Sequence, residues 1–362
     1  MDFLKDFEKS LGEVEGVTSS AEPPRYWFST GNYVMNRIIS GSFYKGIPQG
    51  RITGLAGPAG AGKSFIAGNI MKHAQSMGAY LLALDSENAL DNDFVSKIGV
   101  NVSPEGYNYK GISKVAHVSQ IVSTFIKGYR KEYGNDPNAP KVLITIDSLD
   151  MLLTESEAET YSKGNIKGDQ GQRAKQLKQT LRTLVQDIKD LNISIVATTQ
   201  VYAASPEQIL AGEGKWVVNN AIRFSMSQII LATKLKLKET GSTDVQGIRM
   251  KVEGFKTRFT KPFQTVTIEV PYDTGMDPYS GLLESAQQLG IVEKKGSRWA
   301  VVGEDKSWYA KDVAEHAEDI LVKCEAMNDA YLKARLGDNE DEDDEVETKE
   351  ETSARRRKKV SS

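Results

Sequence analysis

The chain has 362 residues, of which 39% are hydrophobic and 26% are charged, and its formal net charge is −3. This composition is typical of a globular protein with one large domain and one or two small ones. No apolar run approaches the roughly 18 residues of a membrane span, and the first residues lack the pattern of a signal peptide. The only cysteine, Cys324, excludes an internal disulfide. We therefore expect a cytoplasmic protein that has no membrane partner.

Charge is distributed unevenly along the chain. Residues 338–362 carry ten acidic and six basic side chains, a net charge of −4. The remainder is therefore about +1, and such an asymmetry is an indication of nucleic-acid binding. Because the end of the chain has almost no apolar residues, we expect residues 336–362 to form a disordered acidic and basic tail.

The first segment, residues 1–24, is predicted to hold a short amphipathic helix. Its apolar residues are spaced as one helical face: Phe3, Leu4, Phe7, Leu11 and Val14. Two prolines at 23 and 24 separate this helix from the next segment of the chain. The helix could fold back on its own chain or dock on a neighbouring subunit, and the sequence leaves both open.

Residues 57–64 match the P-loop pattern G-x-x-x-x-G-K-[ST] at every fixed position. They are Gly57, Pro58, Ala59, Gly60, Ala61, Gly62, Lys63 and Ser64. An apolar run at 52–56 precedes them and a helical pattern at 65–77 comes after them, the order that a phosphate site needs. Lys63 would reach the β- and γ-phosphates, and the Ser64 hydroxyl would ligate Mg²⁺. A chance match of a glycine-rich turn is the alternative. The pattern predicts a nucleoside triphosphate site.

Apolar runs and helical patterns alternate through the middle of the chain. Strands are predicted at 79–84, 142–146 and 193–198, and helices at 88–98, 115–129 and 172–191. This alternation indicates an α/β fold, a mostly parallel twisted sheet with helices on both faces. Strand-like stretches at 233–239, 248–257 and 263–270 predict hairpins at one side of the sheet.

The chain is expected to divide into four parts. They are the N-terminal helix (1–24), an ATPase core (25–272), a small C-terminal domain (273–335) and the tail (336–362). Within the third part, residues 278–290 have a helical pattern and residues 291–332 are predicted to be a small α-rich extension.

Polar residues come directly after three predicted strands, at their carboxyl ends: Glu87, Asp147 and Gln200. In an open α/β sheet the ligand binds at these ends. Asp147 fits a Walker B carboxylate that holds Mg²⁺, Glu87 is the candidate that activates the attacking water, and the Gln200 amide would sense the γ-phosphate. An ordinary strand-end turn is the alternative for Asp147 and for Gln200.

Two long glycine-bearing loops, 154–171 and 201–219, are candidates for nucleic-acid contact. The first carries Lys163 and Lys167, and the second carries Lys215 and Trp216. Loops longer than about 12–15 residues are uncommon in compact domains and are usually functional or disordered. Basic, glycine and aromatic residues suit a surface that grips single-stranded nucleic acid. Plain surface loops are the alternative.

Several segments, in order along the chain, resemble the RecA family of recombination ATPases. They are 29–31, 46–52, the P-loop, 84–91 and 220–224. The segment 275–283 is more similar to the UvsX-type strand-exchange proteins of tailed phages than to bacterial RecA. The resemblance extends from about Thr30 to Trp299, and it implies a RecA-type P-loop ATPase core.

The resemblance implies roles for residues around the nucleotide. Glu87 matches the water-activating glutamate, and Gln200 matches the glutamine that couples ATP to the DNA loops. Asp91 and Tyr272 match positions at the adenine ring, and Phe65 directly follows the P-loop as a further nucleotide contact. Lys256 and Arg258 match two basic residues that reach the ATP of a neighbouring subunit.

The resemblance also implies DNA contacts, with some departures. Lys175, Arg182 and Arg223 match basic DNA-contacting positions, although the first two would otherwise be a solvated helix face. The second loop differs from the bacterial sequence, so Trp216 is our own candidate for a stacking or wedging residue. Arginine at 223 and 258 keeps the charge of the family's basic positions but changes the donor geometry.

The expected function is that of an ATP-dependent DNA recombinase. With ATP and Mg²⁺ it would form helical homopolymers on single-stranded DNA, pair that DNA with a homologous duplex and exchange strands in recombination, repair and recombination-dependent replication. A single-strand-binding protein, a loader and the cytoplasm of a phage-infected bacterium are implied by the resemblance. The alternatives are a RecA-fold hexameric helicase motor and an ATP-assembled single-strand coat without strand exchange.

Overall fold

A computed structural model describes residues 2–11, 22–165, 171–210, 214–238 and 245–329. The strands among them are β1 (Trp27–Phe28), β2 (Ile47–Pro48), β3 (Ile52–Ala56), β4 (Tyr80–Asp85), β5 (Tyr107–Gly111), β6 (Val142–Asp147), β7 (Ile193–Thr199), β8 (Val201–Ala203), β9 (Trp216–Val218), β10 (Gln228–Lys238), β11 (Val245–Lys256), β12 (Thr265–Pro271), β13 (Val292–Lys295), β14 (Arg298–Val301) and β15 (Ser307–Trp308). The helices are α1 (Asp2–Leu11), α2 (Tyr33–Ser40), α3 (Lys63–Ser76), α4 (Asn92–Ile98), α5 (Val115–Tyr133), α6 (Glu155–Ser162), α7 (Gln172–Ile188), α8 (Pro206–Leu210), α9 (Asn220–Ser225), α10 (Leu282–Gln288) and α11 (313–329). Single 3₁₀ turns lie at Leu149–Met151 and Ala310–Asp312.

The core is a sheet of eight strands in the order β12-β11-β10-β3-β7-β6-β4-β5. The six strands from β10 to β5 pair in parallel, and β11 and β12 add an antiparallel edge. Every residue of β3, β6 and β7 is buried, as expected for parallel strands that are covered on both faces. The predicted α/β fold class is confirmed.

The two faces of the sheet form two hydrophobic clusters. Along β4, Leu81 and Ala83 join the first cluster, whereas Leu82 and Leu84 join the second, since side chains alternate along a strand. The first cluster includes residues of α2, α3, α4 and α10, and the second includes residues of α5, α7 and α9. The P-loop therefore leaves β3 toward α3 on the first face.

The C-terminal region differs from the predicted α-rich extension. Residues 292–308 form a three-stranded antiparallel sheet, β13-β14-β15, and α11 comes after it. Trp299 and Trp308 belong to the first hydrophobic cluster. The backbone N–H of Phe43 also donates to the Glu325 carboxylate at 3.0 Å. The region thus packs onto the core through a sheet whose four-residue and two-residue strands are too short to give a clear period in the sequence.

The two loops predicted to be structureless contain regular elements. The first holds α6, which begins with a capping box between Thr154 and Glu157. The second holds α8 and the hairpin of β8 and β9, in which Val201 pairs with Val218. The prediction of structureless loops was therefore wrong for residues 155–162, 201–203, 206–210 and 216–218.

The N-terminal helix forms as predicted, over residues 2–11. The side chains of Phe3 and Phe7 are exposed, and their ring centroids lie 6.2 Å apart. Whether this helix packs on its own chain or on a second copy stays open. The whole predicted tail, residues 336–362, and residues 12–21 lie outside the described residues.

Candidate nucleotide site and DNA surface

The P-loop is a tight backbone cradle between β3 and α3. Gly60 and Gly62 have φ values of +71° and +90°, a conformation that favours glycine. A Cβ atom at Gly57 would collide with the carbonyl oxygen of Ala232, and one at Gly62 would lie 2.6 Å from the Met250 sulfur. No side chain caps the first turn of α3, so its N-terminal end is suited to a phosphate.

Lys63 lies folded over this loop. Its ammonium nitrogen donates to the carbonyl oxygens of Gly57 and Pro58 at 3.0 and 3.1 Å. Burial lowers the pKa of Lys63, and the nearby carboxylates of Glu87, Asp147 and Asp150 oppose that shift. The side chain is a cation at the mouth of the cradle, within a group of acidic residues.

Asp147 ends β6 and is 1% exposed. The Thr198 hydroxyl donates to its Oδ1 atom, whereas the buried Oδ2 atom has no hydrogen-bond partner among the described residues. Burial raises the pKa of Asp147, the hydroxyls of Ser64 and Thr198 lower it, and the charges of Glu87 and Asp85 raise it further. A buried carboxylate oxygen without a partner beside the P-loop serine fits the ligand set that Mg²⁺ prefers.

Glu87 lies exposed at the end of β4 and is held by neighbouring groups. The Ser148 hydroxyl donates to its Oε1 atom. The buried carboxylate of Asp85 accepts from the backbone N–H groups of Glu87 and Leu90 at 3.0 and 2.9 Å. Asp85 therefore shapes the loop, and Glu87 is left free to face solvent at the same edge as Asp147.

Gln200 is the only residue between β7 and β8. Its backbone N–H donates to Asp150 Oδ2 at 2.7 Å, and the preceding residue, Thr199, accepts from the Gly57 N–H at 3.2 Å. The start of the P-loop and the start of the β8–β9 hairpin are thus linked through one dipeptide. Sequence reasoning missed Asp150, because nothing in its local pattern indicates a partner 50 residues away.

The residues predicted at the adenine ring lie on elements next to α3. Tyr272 is 65% exposed and directly follows β12, and a Cβ atom at the nearby Gly275 would lie 4.0 Å from the Phe65 ring. Asp91 accepts from the Phe94 N–H at 2.9 Å as the N-cap of α4. The turn after β12, which contains Gly275, therefore lies near Phe65 in the first turn of α3. Asp91 has a local capping role in addition to any nucleotide contact.

Lys256 and Arg258 lie at the other end of the sheet from the P-loop of their own chain. Lys256 pairs with Ile229, which pairs with Gly54, three residues before the P-loop begins. At about 3.3 Å per residue, the position of Lys256 along the strand direction is roughly 10 Å from the start of the P-loop, toward the amino end of β3. Because β11 runs away from the loop, Arg258 lies further still.

This opposite edge is basic. Lys256 donates to the carbonyl oxygens of Arg223 and Met226 at 2.6 Å each. Burial lowers the pKa of Lys256, and the positive charges of Arg258 and Arg223 lower it further. The Arg223 guanidinium lies 5.4 Å from the Phe255 ring centroid. Within the described ranges no ion pair neutralises Lys256, Arg223 or Arg258.

The remaining predicted DNA residues lie on α7 or at the end of α6, where the structure describes them. Lys175 and Arg182 are exposed on α7, whose buried face packs with residues of the β8–β9 hairpin and α9 in the second cluster. Lys163 is exposed at the end of α6. Lys167 lies outside the described residues.

Trp216 is less free than a wedging residue would be. Its ring packs partly against the second cluster, and the Lys215 ammonium lies 5.4 Å from its centroid. The exposed apolar side chains of the second loop are instead Tyr202, Ile209 and Leu210, and Leu210 is 87% exposed. Sequence reasoning passed over these residues because no periodic pattern marks them.

Comparison with known proteins finds similarity to one family. The model of the RecA N-terminal domain matches residues 3–106, which include the P-loop and Glu87. A protein RecA of Syntrophus aciditrophicus is 27% identical over 318 residues, 82% of this chain and 83% of that protein. One of Pseudomonas fluorescens is 25% identical over 306 residues, 79% and 78% of the two chains. The chain is thus similar to RecA proteins over most of its length.

The similarity to RecA proteins agrees with the geometry of the nucleotide site. Its P-loop, Asp147 and Glu87 lie at one edge of the parallel sheet, where the family resemblance predicts them. These two relatives are bacterial proteins, so the closer similarity to phage UvsX-type proteins stays a prediction. The roles of individual residues stay predictions as well.

The residues that the structure describes contain neither a cluster of metal-binding side chains nor a helix that could cross a membrane. No cluster of three or more histidine, cysteine, aspartate or glutamate side chains could hold a metal ion there. A metal at this RecA-type site would thus depend on Ser64, Asp147 and the nucleotide together. None of the described helices has the length and apolar character to cross a membrane.

Proposed function

We propose that this chain is a RecA-family, ATP-dependent recombinase that assembles on single-stranded DNA and exchanges strands with a homologous duplex. The observation that carries the proposal is the separation of two half-sites on one chain. The P-loop, Asp147 and Glu87 lie at one edge of the sheet, and the basic group of Lys256, Arg223 and Arg258 lies at the other. One half-site of a protomer fits the other half-site of its neighbour.

Such a head-to-tail contact is heterologous, so it propagates into a helical filament unless its rotation closes a ring. ATP would lie between protomers, with its phosphates in the cradle of one chain and the Arg258 guanidinium of the next chain close by. The exposed Phe3 and Phe7 of α1 offer a second contact between neighbours. Nucleotide binding would then stabilise the filament directly.

Different residues of the site would bind the metal, contact the phosphates and activate the attacking water. Ser64 and Asp147 would hold Mg²⁺, which neutralises phosphate charge and orients the nucleotide when bound. Lys63 would turn from the loop carbonyls to the phosphates. Glu87, held by Ser148, would orient the attacking water and accept its proton.

DNA binding would result from the same arrangement. Neighbouring protomers would align Lys175, Arg182 and the β8–β9 hairpin along one DNA strand. Basic side chains contact phosphates without reading sequence, and exposed apolar side chains such as Leu210 would separate or stack bases. Homology would be read by base pairing. A single-strand-binding protein, a loader and a phage host are further parts of the proposal, which rest on the UvsX resemblance alone.

The test is ATP hydrolysis with and without single-stranded DNA, with negative-stain microscopy of the same samples. We expect strong stimulation together with helical filaments, after which strand exchange is the next assay. Closed rings would favour a helicase motor, and filaments without turnover would favour a passive coat. Either result would overturn the proposal.

A further inference from the structure

Asp150 makes contacts that the chemistry described above does not require. It lies in the 3₁₀ turn directly after β6, three residues beyond Asp147. Its Oδ2 atom accepts from the Thr199 hydroxyl at 2.8 Å and from the Gln200 backbone N–H at 2.7 Å. Hydrogen bonds to a carboxylate at these distances are short and strong compared with neutral ones.

Thr199 and Gln200, the two residues that donate to Asp150, form the joint between the sheet and the second loop. β7 ends at Thr199 and β8 begins at Val201. The Thr199 carbonyl oxygen accepts from the Gly57 N–H at 3.2 Å. The joint is therefore fixed on one side by the P-loop and on the other side by a carboxylate.

The backbone of Asp150 reaches the first loop as well. Its carbonyl oxygen accepts from Arg173 Nη1 at 3.1 Å. Arg173 lies in the first turn of α7, directly after the loop that carries Lys163. A single residue thus contacts both segments that lead to the DNA surface, within reach of the nucleotide cradle.

We propose that Asp150 is a positioning residue that couples the nucleotide site to the two DNA loops. Its carboxylate holds the Gln200 backbone in place, so that a change at the P-loop moves the β8–β9 hairpin instead of being absorbed at the joint. The inference deepens the proposed function and rests on it for the DNA part. It assigns Asp150 no contact with ATP or with the attacking water.

The first test compares two substitutions at this position. Asp150→Ala removes both acceptor contacts, and it should lower the ratio of ATP turnover with DNA to turnover without DNA by about tenfold. Asp150→Asn keeps an acceptor oxygen, and its ratio should stay within about threefold of the wild type. Asp93→Ala removes an exposed carboxylate on α4 and serves as the control. Thermal melting of each variant establishes that it is folded.

The second test needs neither DNA nor hydrolysis. Trypsin cleavage after Lys215, which is exposed beside the hairpin, is monitored by mass spectrometry with and without a non-hydrolysable ATP analogue. In the wild type the analogue should change the cleavage rate, and in Asp150→Ala it should not, although binding of a fluorescent ATP analogue is retained. If Asp150→Ala responds like the wild type in both tests, the inference is overturned.

The two tests separate this inference from the proposed function. Suppose that DNA does not stimulate ATP turnover in the wild type, but the ATP analogue changes trypsin cleavage in the wild type and not in Asp150→Ala. That result would refute the recombinase and support the coupling. Loss of nucleotide binding in both Asp150 variants would show a merely structural role and would also overturn the inference.

Discussion

Because the carboxylate of Asp147 is buried, we predict that its neutralisation raises the stability of the metal-free protein but weakens the binding of Mg²⁺ and nucleotide. Asp147→Asn removes a charge whose Oδ2 atom is buried without a hydrogen-bond partner among the described residues. Leaving such an acceptor unsatisfied costs about 1–3 kcal/mol, and more when it is charged. The Thr198 hydroxyl still has an oxygen to which it can donate. The new amide NH₂ group also lacks a partner there, so only the cost of burying the charge is removed, and we expect the metal-free variant to be more stable than the wild type by about 1 kcal/mol.

The assay is thermal unfolding in EDTA and again with Mg²⁺ and an ATP analogue. In EDTA the variant should melt higher by roughly 2–4 °C. Ligand at about a hundred times its Kd should stabilise the wild type by about 2.7 kcal/mol, and most of this gain should be absent in the variant. A variant that melts below the wild type in EDTA would refute the argument from the buried charge.

The pH dependence of unfolding in EDTA independently tests the sign of the stability difference between Asp147→Asn and the wild type. Burial raises the pKa of Asp147 in the folded protein, so the protonated carboxyl is favoured on folding. That contribution is complete below the unfolded pKa of about 3.9 and is lost as pH rises through the folded pKa. The advantage of Asp147→Asn should therefore grow with pH over that window, and a constant difference would contradict the account.

Two further predictions concern turnover and DNA affinity. Glu87→Gln keeps an acceptor for Ser148 but not a base, so turnover should fall at least about 100-fold while nucleotide binding persists. Steady-state kinetics and a nucleotide-binding titration measure the two effects. Turnover close to that of the wild type would show that Glu87 is only a turn residue. Lys175→Ala should lower the salt dependence of DNA affinity by about one phosphate contact, measured as the slope of log K against log salt. Lys97→Ala, exposed on α4 at the other face, is its control, and equal slopes for both variants would contradict the DNA role of α7.

Strong local patterns made much of the core predictable. β3, β6 and β7 are continuous apolar runs because both of their faces are buried. The edge strand β5 was missed, since half-exposed Asn108 and exposed Lys110 hide its period. α6 was missed although Thr154 and Glu157 carry a capping-box signature. That motif alone is sufficient to predict the start of the helix.

Contacts that depend on tertiary register could not be predicted. Lys256 lies beyond reach of its own P-loop because of how β10 pairs with β3 and β11, and no local pattern specifies that register. Asp150 meets Thr199 only because β6 and β7 are neighbours in the sheet. Family resemblance supplied the role proposed for Lys256, whereas nothing in the sequence singled out Asp150.

The claim that ATP lies between protomers has a direct test by mixing two inactive variants. Arg258→Ala has an intact P-loop and Glu87, and Glu87→Gln has an intact Arg258. If Arg258 acts on the ATP of its neighbour, mixed filaments contain complete sites, and ATP turnover on single-stranded DNA should recover to a substantial part of the wild-type rate. If Arg258 acts within its own chain, or not at all on ATP, the mixture should hydrolyse no faster than the two variants measured separately.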